Sequence, residues 1–282
     1  MKMNTVPAAH GKDWITQGFA LFRQHAKTIV LYVFLYLLVI APFGIAPQFL
    51  PLLVGVPIII ILYLVGPALI VGLLGIYRAL DQGQPASLGV FLQPFKTRLA
   101  PLCALGALYT LAIAVVLVIG AGIFVVTAGG DLQRLLQVFV ASMNDTLTLA
   151  DAEYLLSVLL GLMFTELVVL SLMLPLFMAY YFAPLLVAWD NVSVVKAVVF
   201  SFVACLKNWR PFLLFSLLLM VGSMMVATVV ATLIVMLVLA LPKTLALLIA
   251  GVLYLAMIAL LLSLCFAFYY VSYKDIFTPD EA

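Results

Sequence analysis

The 282-residue chain is 67% apolar and 9% charged, with a mean hydropathy of +1.33. Soluble domains are roughly half apolar and about a quarter charged, so this composition excludes a soluble fold and makes lipid the solvent for much of the surface. A net charge of +2 is too small to argue for a nucleic-acid partner; its distribution along the chain says more than its sum.

From the N-terminus, Met1 to Gly11 is polar and leads into an amphipathic stretch, which does not read as a secretory signal. Apolar runs of the roughly 20 residues needed to cross a bilayer then occur at 28–50, 52–77, 100–127, 154–188, 211–241 and 244–272. Pro42, Pro47, Pro51 and Pro57 separate the first two and predict a tight hairpin. Lys2, Lys12, Arg23 and Lys27 precede the first run; Arg78, Lys96 and Arg98 follow the second; Lys196, Lys207 and Arg210 follow the fourth; Lys274 follows the last. Only Arg134 and Lys243 fall in the alternate loops, so the positive-inside bias predicts cytoplasmic N- and C-termini. The 128–153 loop, with Asp131, Asp145, Asp151 and Glu153, is then translocated. The expected fold is an all-α polytopic membrane helix bundle of about six spans, one transmembrane domain over 1–282.

Three segments ahead of the odd-numbered spans share a pattern: 13–27, 87–98 and 193–210. With Phe22, Phe95 and Leu206 as origin, Ile15, Leu88 and Val199 stand seven residues earlier, and Phe19, Leu92 and Val203 three earlier. Arg23, Lys96 and Lys207 follow the origin, and a second cation comes next in each: Lys27, Arg98 and Arg210. This spacing places the apolar positions on one helical stripe, and Asp13, Ser87 and Ser193 are candidate N-caps. The chain thus reads as three pseudo-repeats, 13–77, 87–188 and 193–276, each an interfacial amphipathic helix plus a two-span hairpin. The candidate headgroup contacts are Arg23, Lys96, Arg98, Lys207 and Arg210, set against plain anchoring by the positive-inside rule.

Within the translocated loop, Gly129 and Gly130 break the chain. Leu132, Leu135, Leu136, Phe139, Val140 and Met143 form a further amphipathic stripe that Asp131 can cap. Such a helix can lie on the outer leaflet, cover a cavity mouth or bind a partner; passive packing over the bundle is the commoner outcome. A Thr148–Asp151 capping box opens the fourth span.

Glu166 is the one ionisable residue well inside a span, where a charge costs at least about 2.5 kcal/mol. It reads either as a protonated or hydrogen-bonded structural carboxyl or as part of a transport path. Pro57, Pro67, Pro175 and Pro184 predict kinks in spans two and four. Gly106, Thr110 and Ala114, then Ser223, Ala227 and Ala231, then Ala246 and Ala250 predict close helix packing. Tyr77, Tyr180, Tyr181, Trp189, Tyr269, Tyr270 and Tyr273 read mostly as an interfacial aromatic belt, or else as rings around a headgroup site.

Cys103, Cys205 and Cys265 give no disulfide or metal spacing, and the histidines, His10 and His25, suit neither a triad nor a zinc site in the membrane. No nucleotide, metalloprotease or nucleophile-elbow motif occurs, so no cofactor is expected and nothing argues for an enzyme. WITQGFALFRQHAK, GIYRALDQGQPASLGVFLQPFK, DNVSVVKAVVFSFVACLKNWRPF and FYYVSYKDIF together resemble an uncharacterised family of proteobacterial inner-membrane proteins with about six spans. More distantly the chain is similar to the membrane domain accompanying some glycerophosphodiester phosphodiesterases, without a counterpart of their catalytic domain. The resemblance implies a bacterial inner-membrane location and no catalytic residues. The function expected is that of a non-enzymatic accessory or scaffold protein contacting anionic lipids, a membrane-protein partner or further copies of itself. The alternative is a transporter or channel for a lipid or uncharged small molecule.

Overall fold

Why each apolar run becomes a helix is a matter of backbone chemistry, because only internally bonded helices or closed barrels satisfy their N–H and C=O groups in lipid. A computed structural model describes residues 3–127, 131–144 and 146–277, with the Leu132 side chain excepted, and contains no strand among them. Gly129, Gly130, Asp145 and Lys2 lie outside the described residues.

The helices are α1 (His10–Ile45), α2 (Leu52–Asp81), α3 (Leu88–Thr97), α4 (Leu99–Thr127), α5 (Leu132–Met143), α6 (Leu149–Tyr181), α7 (Ala183–Ala188), α8 (Val194–Lys207), α9 (Trp209–Ala240) and α10 (Lys243–Phe277). Six segments are long and apolar enough to cross a membrane: α1 with the turn after it, α2, α4, α6 with α7, α9 and α10. The protein is therefore an all-α polytopic bundle. The amphipathic opening and first span form one helix broken at His25, whose φ of −124° and ψ of 23° separate the two parts. The prolines after it produce the expected hairpin, through a 3₁₀ turn at Ala46–Phe49.

Helix α10 packs on α1, α1 on α2, α2 on α4 and α4 on α6, while α9 lies against α1 and α10 and α8 lies against α6. Both termini meet at one end, hereafter the basal end. There the Asn4 N–H donates to the Ile276 carbonyl at 2.9 Å. The fully buried Asn208 accepts from Val6 N–H at 2.8 Å and donates to the carbonyls of Asn4 (3.1 Å) and Ala204 (2.9 Å). The large buried side chains gather at this end too, among them Trp14, Tyr77, Leu102, Phe182, Leu185 and Ile276. Toward the far end the spans are bare: in α9 none of the most apolar eighteen-residue window is buried. Lipid has to cover that surface.

Several sequence expectations are corrected by this packing. The tyrosines do not form a lipid-facing belt. Tyr77, Tyr270 and Tyr273 are buried, and rings of Trp14, Tyr181, Phe182, Phe212, Tyr269 and Phe277 meet edge-on or tilted in an aromatic core. Their hydroxyls find acceptors inside the protein: Tyr77 donates to the Ser263 carbonyl at 2.9 Å and Tyr269 to that of Tyr181. A buried ring carrying a satisfied hydroxyl is as stable as one at the headgroups, and composition alone cannot separate the two.

Of the small-residue seams, Gly106 packs as expected. A Cβ there would lie 2.6 Å from the Tyr63 and Leu64 carbonyl oxygens of α2. Ala246 and Ala250 are buried, but Ala114 of α4 and Ala227 and Ala231 of α9 are exposed. Pro57, Pro67 and Pro175 sit within their helices, whereas Pro184 opens α7 after a break at Phe182. The buried Ser201 of α8 repairs that break, accepting from Phe182 N–H at 2.8 Å and donating to the Met178 carbonyl at 2.7 Å.

Ser87 caps α3 through a bond from Val90 N–H at 3.3 Å, and Ser193 stands at the cap position of α8 without a side-chain bond. Asp13 is no cap, since α1 starts earlier and places it in the first turn. Asp131 caps α5, and the Thr148–Asp151 box is formed. Helix α5 rests on α6 with Val138 buried and Leu135 and Ala141 half-buried, and with the Arg134 guanidinium 4.4 Å over the Tyr154 ring. Leu136, Phe139, Val140 and Met143 of the expected stripe are exposed.

Candidate functional site

The basal end carries nearly all the charge, and two helix ends organise it. Helix α2 closes with Gly83 at φ +69°, Gly83 N–H bonding the Leu80 carbonyl and Gln84 N–H that of Ala79 at 2.8 Å. Helix α7 closes similarly through Asn191 at φ 56°, with Val192 N–H on the Leu186 carbonyl. Both are left-handed terminations that turn the chain sharply and expose the last side chains. They set Arg78, Asp81 and Gln82 opposite Trp189 and Asp190.

Between them lie two adjoining hollows that share Arg78, Gln82 and Trp189. The second, of 350 Å³, is walled further by Asp81, Asp190, Tyr270, Tyr273, Lys274 and Phe277. Its charges are matched: Lys274 Nζ lies 2.7 Å from Asp81 Oδ2, Tyr270 donates to the same oxygen at 2.8 Å, and Tyr273 donates to Asp190. Half-burial pushes the Asp190 carboxyl above its ordinary range, against the opposing pull of the Tyr273 bond and the Arg78 charge.

The first hollow, of 330 Å³, runs between α2, α3 and α7 and is built differently. Arg78 and Arg98 line it together with Gln82, Gln84, Gln93, Thr97 and Trp189, and no carboxylate does. Arg78 lies 4.8 Å over the Trp189 ring, a cation–π contact that holds the guanidinium without neutralising it. The Arg98 side chain has no hydrogen bond or ion pair among the described residues. Two guanidiniums flanked by amides form a receptor for a phosphate or carboxylate.

Of the five candidate headgroup contacts, Arg98 alone enters this hollow, where Trp189, one of the candidate rings, also stands. Arg23, Lys96, Lys207 and Arg210 are exposed elsewhere, with the Arg210 guanidinium 5.5 Å over the Trp209 ring. The apolar stripe of the three segments is only partly outward. Phe19, Leu88, Leu92, Val199 and Leu206 are exposed, whereas Ile15, Phe22, Phe95 and Val203 are half-buried, Phe22 and Phe95 against the core, and the residues just before the origins, Leu21, Pro94 and Cys205, are buried. Burial pushes the Cys205 thiol up to about 12, which leaves it unreactive. Glu166 is exposed on α6, has no partner and lines none of the cavities among the described residues.

Sequence reading missed Arg78, Asp81, Trp189, Asp190 and Lys274 as members of one site. The available signal was the i, i+3, i+4 spacing of Tyr270, Tyr273 and Lys274 on one face of α10, with an acid and a turn residue ending both α2 and α7.

Fold and basal site together define a polytopic helical membrane protein with a cationic, aromatic-walled end. Over 222 residues the chain is 28% identical to a Burkholderia thailandensis protein described as a probable inner membrane protein, covering 77% of this chain and 75% of that one. No protein-family model and no solved structure matches the chain. The likeness to the membrane domain of glycerophosphodiester phosphodiesterases is not shown by these comparisons.

Proposed function

We propose that the protein is a non-enzymatic, multi-pass inner-membrane protein of accessory or scaffold type, whose basal face lies in the cytosol and holds an anionic lipid headgroup. The observation that carries this reading is the hollow lined by Arg78 and Arg98 without a carboxylate. The basic residues concentrated at the basal end support the cytosolic orientation, and the relative's description supports the inner membrane. The partly outward apolar stripes beside Arg23, Lys96 and Lys207 fit three interfacial helices lying at the same headgroup level, the arrangement of the three pseudo-repeats.

Two measurements test the proposal. Compartment reporters on the C-terminus and within the 131–144 segment should fall on opposite sides of the membrane; the same side for both would defeat the orientation. For the headgroup, phosphatidylglycerol added to the protein in neutral detergent should raise its melting temperature more than phosphatidylcholine does. Arg78→Ala with Arg98→Ala should weaken the phosphatidylglycerol response about tenfold or more in lipid concentration, as befits lost charge-assisted bonds. An equal response in the double variant would remove the headgroup reading.

A further inference from the structure

A further hollow at the basal end shares no lining residue with the one that holds Arg78 and Arg98. Helices α6 and α9 are not packed along one another, and α8 joins their basal ends. The gap is a groove of 460 Å³, walled by Phe177 and Tyr181 of α6, Cys205 of α8, and Trp209, Phe212 and Ser216 of α9. That volume falls within the range of small-molecule sites, about 300–1,000 Å³. The walls are aromatic and aliphatic, and the groove opens sideways onto the surface that the bilayer covers.

Water is a poor occupant for such walls, because few polar groups are there to hold it. An acyl chain is a good one. Flanking the lining residues Cys205 and Trp209 in sequence are two exposed cations, Lys207, the last residue of α8, and Arg210, in the first turn of α9, whose guanidinium lies over the Trp209 ring. Nothing on their own elements neutralises them, since the chain from Asn191 to Lys274 contains no acidic residue. Trp209, half in the groove and half out, lies beneath Arg210, placing an amphipathic ring where hydrocarbon meets headgroup. An apolar slot at leaflet depth with two unmatched cations at its headgroup end has the chemistry of one ligand class.

We propose that the α6–α9 groove binds one anionic phospholipid of the basal-side leaflet, an acyl chain lying against Phe177, Phe212 and Ser216 and the phosphate against Lys207 and Arg210. The occupant follows from the join of the two parts: a neutral lipid would leave the cations unused, and a transmembrane helix from another protein would leave them at the headgroups with no anion.

The test uses the full chain in neutral detergent, titrated with phosphatidylglycerol brominated on its acyl chains and, separately, with brominated phosphatidylcholine. Quenching of Trp209, taken as the difference between the native chain and Trp209→Phe, should saturate at one phosphatidylglycerol per chain. It should do so at about tenfold lower concentration than with phosphatidylcholine. Lys207→Ala with Arg210→Ala should abolish that preference. Ser216→Trp, which fills the groove, should abolish the saturable quench and lower the lipid retained in native mass spectra by one phosphatidylglycerol per chain. Gly122→Ala, with open space where its Cβ would lie and outside both hollows, should change neither. Quenching that never saturates, or saturates alike for both lipids, would overturn the proposal, and so would undiminished lipid retention in Ser216→Trp. Should that variant aggregate, the titration of the native chain decides alone. In a variant with Cys103, Cys205 and Cys265 replaced by alanine, efficient disulfide dimerisation through Ser216→Cys would assign the groove to a second copy instead and would equally overturn it.

Discussion

Replacing Gly106 by leucine is expected to separate α2 from α4 and to lower the melting temperature in detergent by roughly 10 °C, on an overpacking cost of about 3 kcal/mol. The physical reason is the nearness of backbone rather than side chain. The carbonyl oxygens of Tyr63 and Leu64 would stand 2.6 Å from the added Cβ, and neither can rotate away. Helices in lipid gain little from burying apolar surface against each other, since the tails are as apolar as leucine, so close backbone approach is what holds the pair. Leu102, one turn earlier on α4, is fully buried, and moving α4 outward would uncover it. Gly106→Ala should show a smaller loss of the same kind, because only the Cβ itself has to be accommodated. Gly122, with open space where its Cβ would lie, provides the control: Gly122→Ala should melt with the native protein. A Gly106→Leu protein that melts unchanged and elutes as a single species would show that this crossing does not hold the bundle together.

How far the sequence reaches depends on whether a pattern has one physical cause or two. Helix ends were legible because caps are local: Thr148 with Asp151, Asp131 and Ser87 each announce a helix start within four residues, and each forms. The six spans were legible because their length and apolarity admit one explanation in a bilayer. Facing was not legible. In water an apolar stripe must turn inward, but at a membrane it is equally at home against protein or lipid, so a stripe read as interfacial is divided, with Phe19, Leu92 and Leu206 exposed and Phe22 and Phe95 half-buried against the core. The same ambiguity sent the tyrosines to a belt when they belong to the core. It also gave Ala227 and Ala231 a helix partner they do not have. The basal polar site was out of reach for a different reason. Arg78, Asp81, Trp189, Asp190 and Lys274 come from three separated stretches, and nothing local to any of them reports the other two. Arg98 was identified as a headgroup contact from its place in a repeated pattern, yet its position beside Arg78 depends on how α2 ends.

Asn208→Ala is expected to release the N-terminal segment and to cost about 2–4 kcal/mol, the sum of several buried bonds lost at once. The side chain is fully buried between α8 and α9, and it is the only group that bonds both the Val6 N–H and the Asn4 carbonyl among the described residues. Alanine leaves the Val6 N–H without its acceptor in a place that water enters poorly and removes the side-chain bond to the Asn4 carbonyl, while the Ala204 carbonyl keeps the backbone N–H of residue 208. The consequence reaches beyond residue 208, because the segment it holds delivers α1 to its place. His10 and Trp14 of α1 both engage Asp275 Oδ2, at 2.9 and 2.7 Å, and Trp14 stacks edge-on with Phe212 at 4.9 Å. A loosened strap therefore weakens the join between α1, α9 and α10 at the end where the bundle is best packed. Asn208→Asp keeps the size of the side chain but buries a carboxylate facing the two carbonyls, so it should melt at or below alanine. Protease added to the basal side of sealed vesicles should remove an N-terminal tag from Asn208→Ala several-fold faster than from the native chain, and from Asn208→Asp at least as fast. Equal cleavage in all three, with equal melting, would mean that the strap is held by the Asn4 to Ile276 bond and by α1 itself, and that the buried amide only fills space.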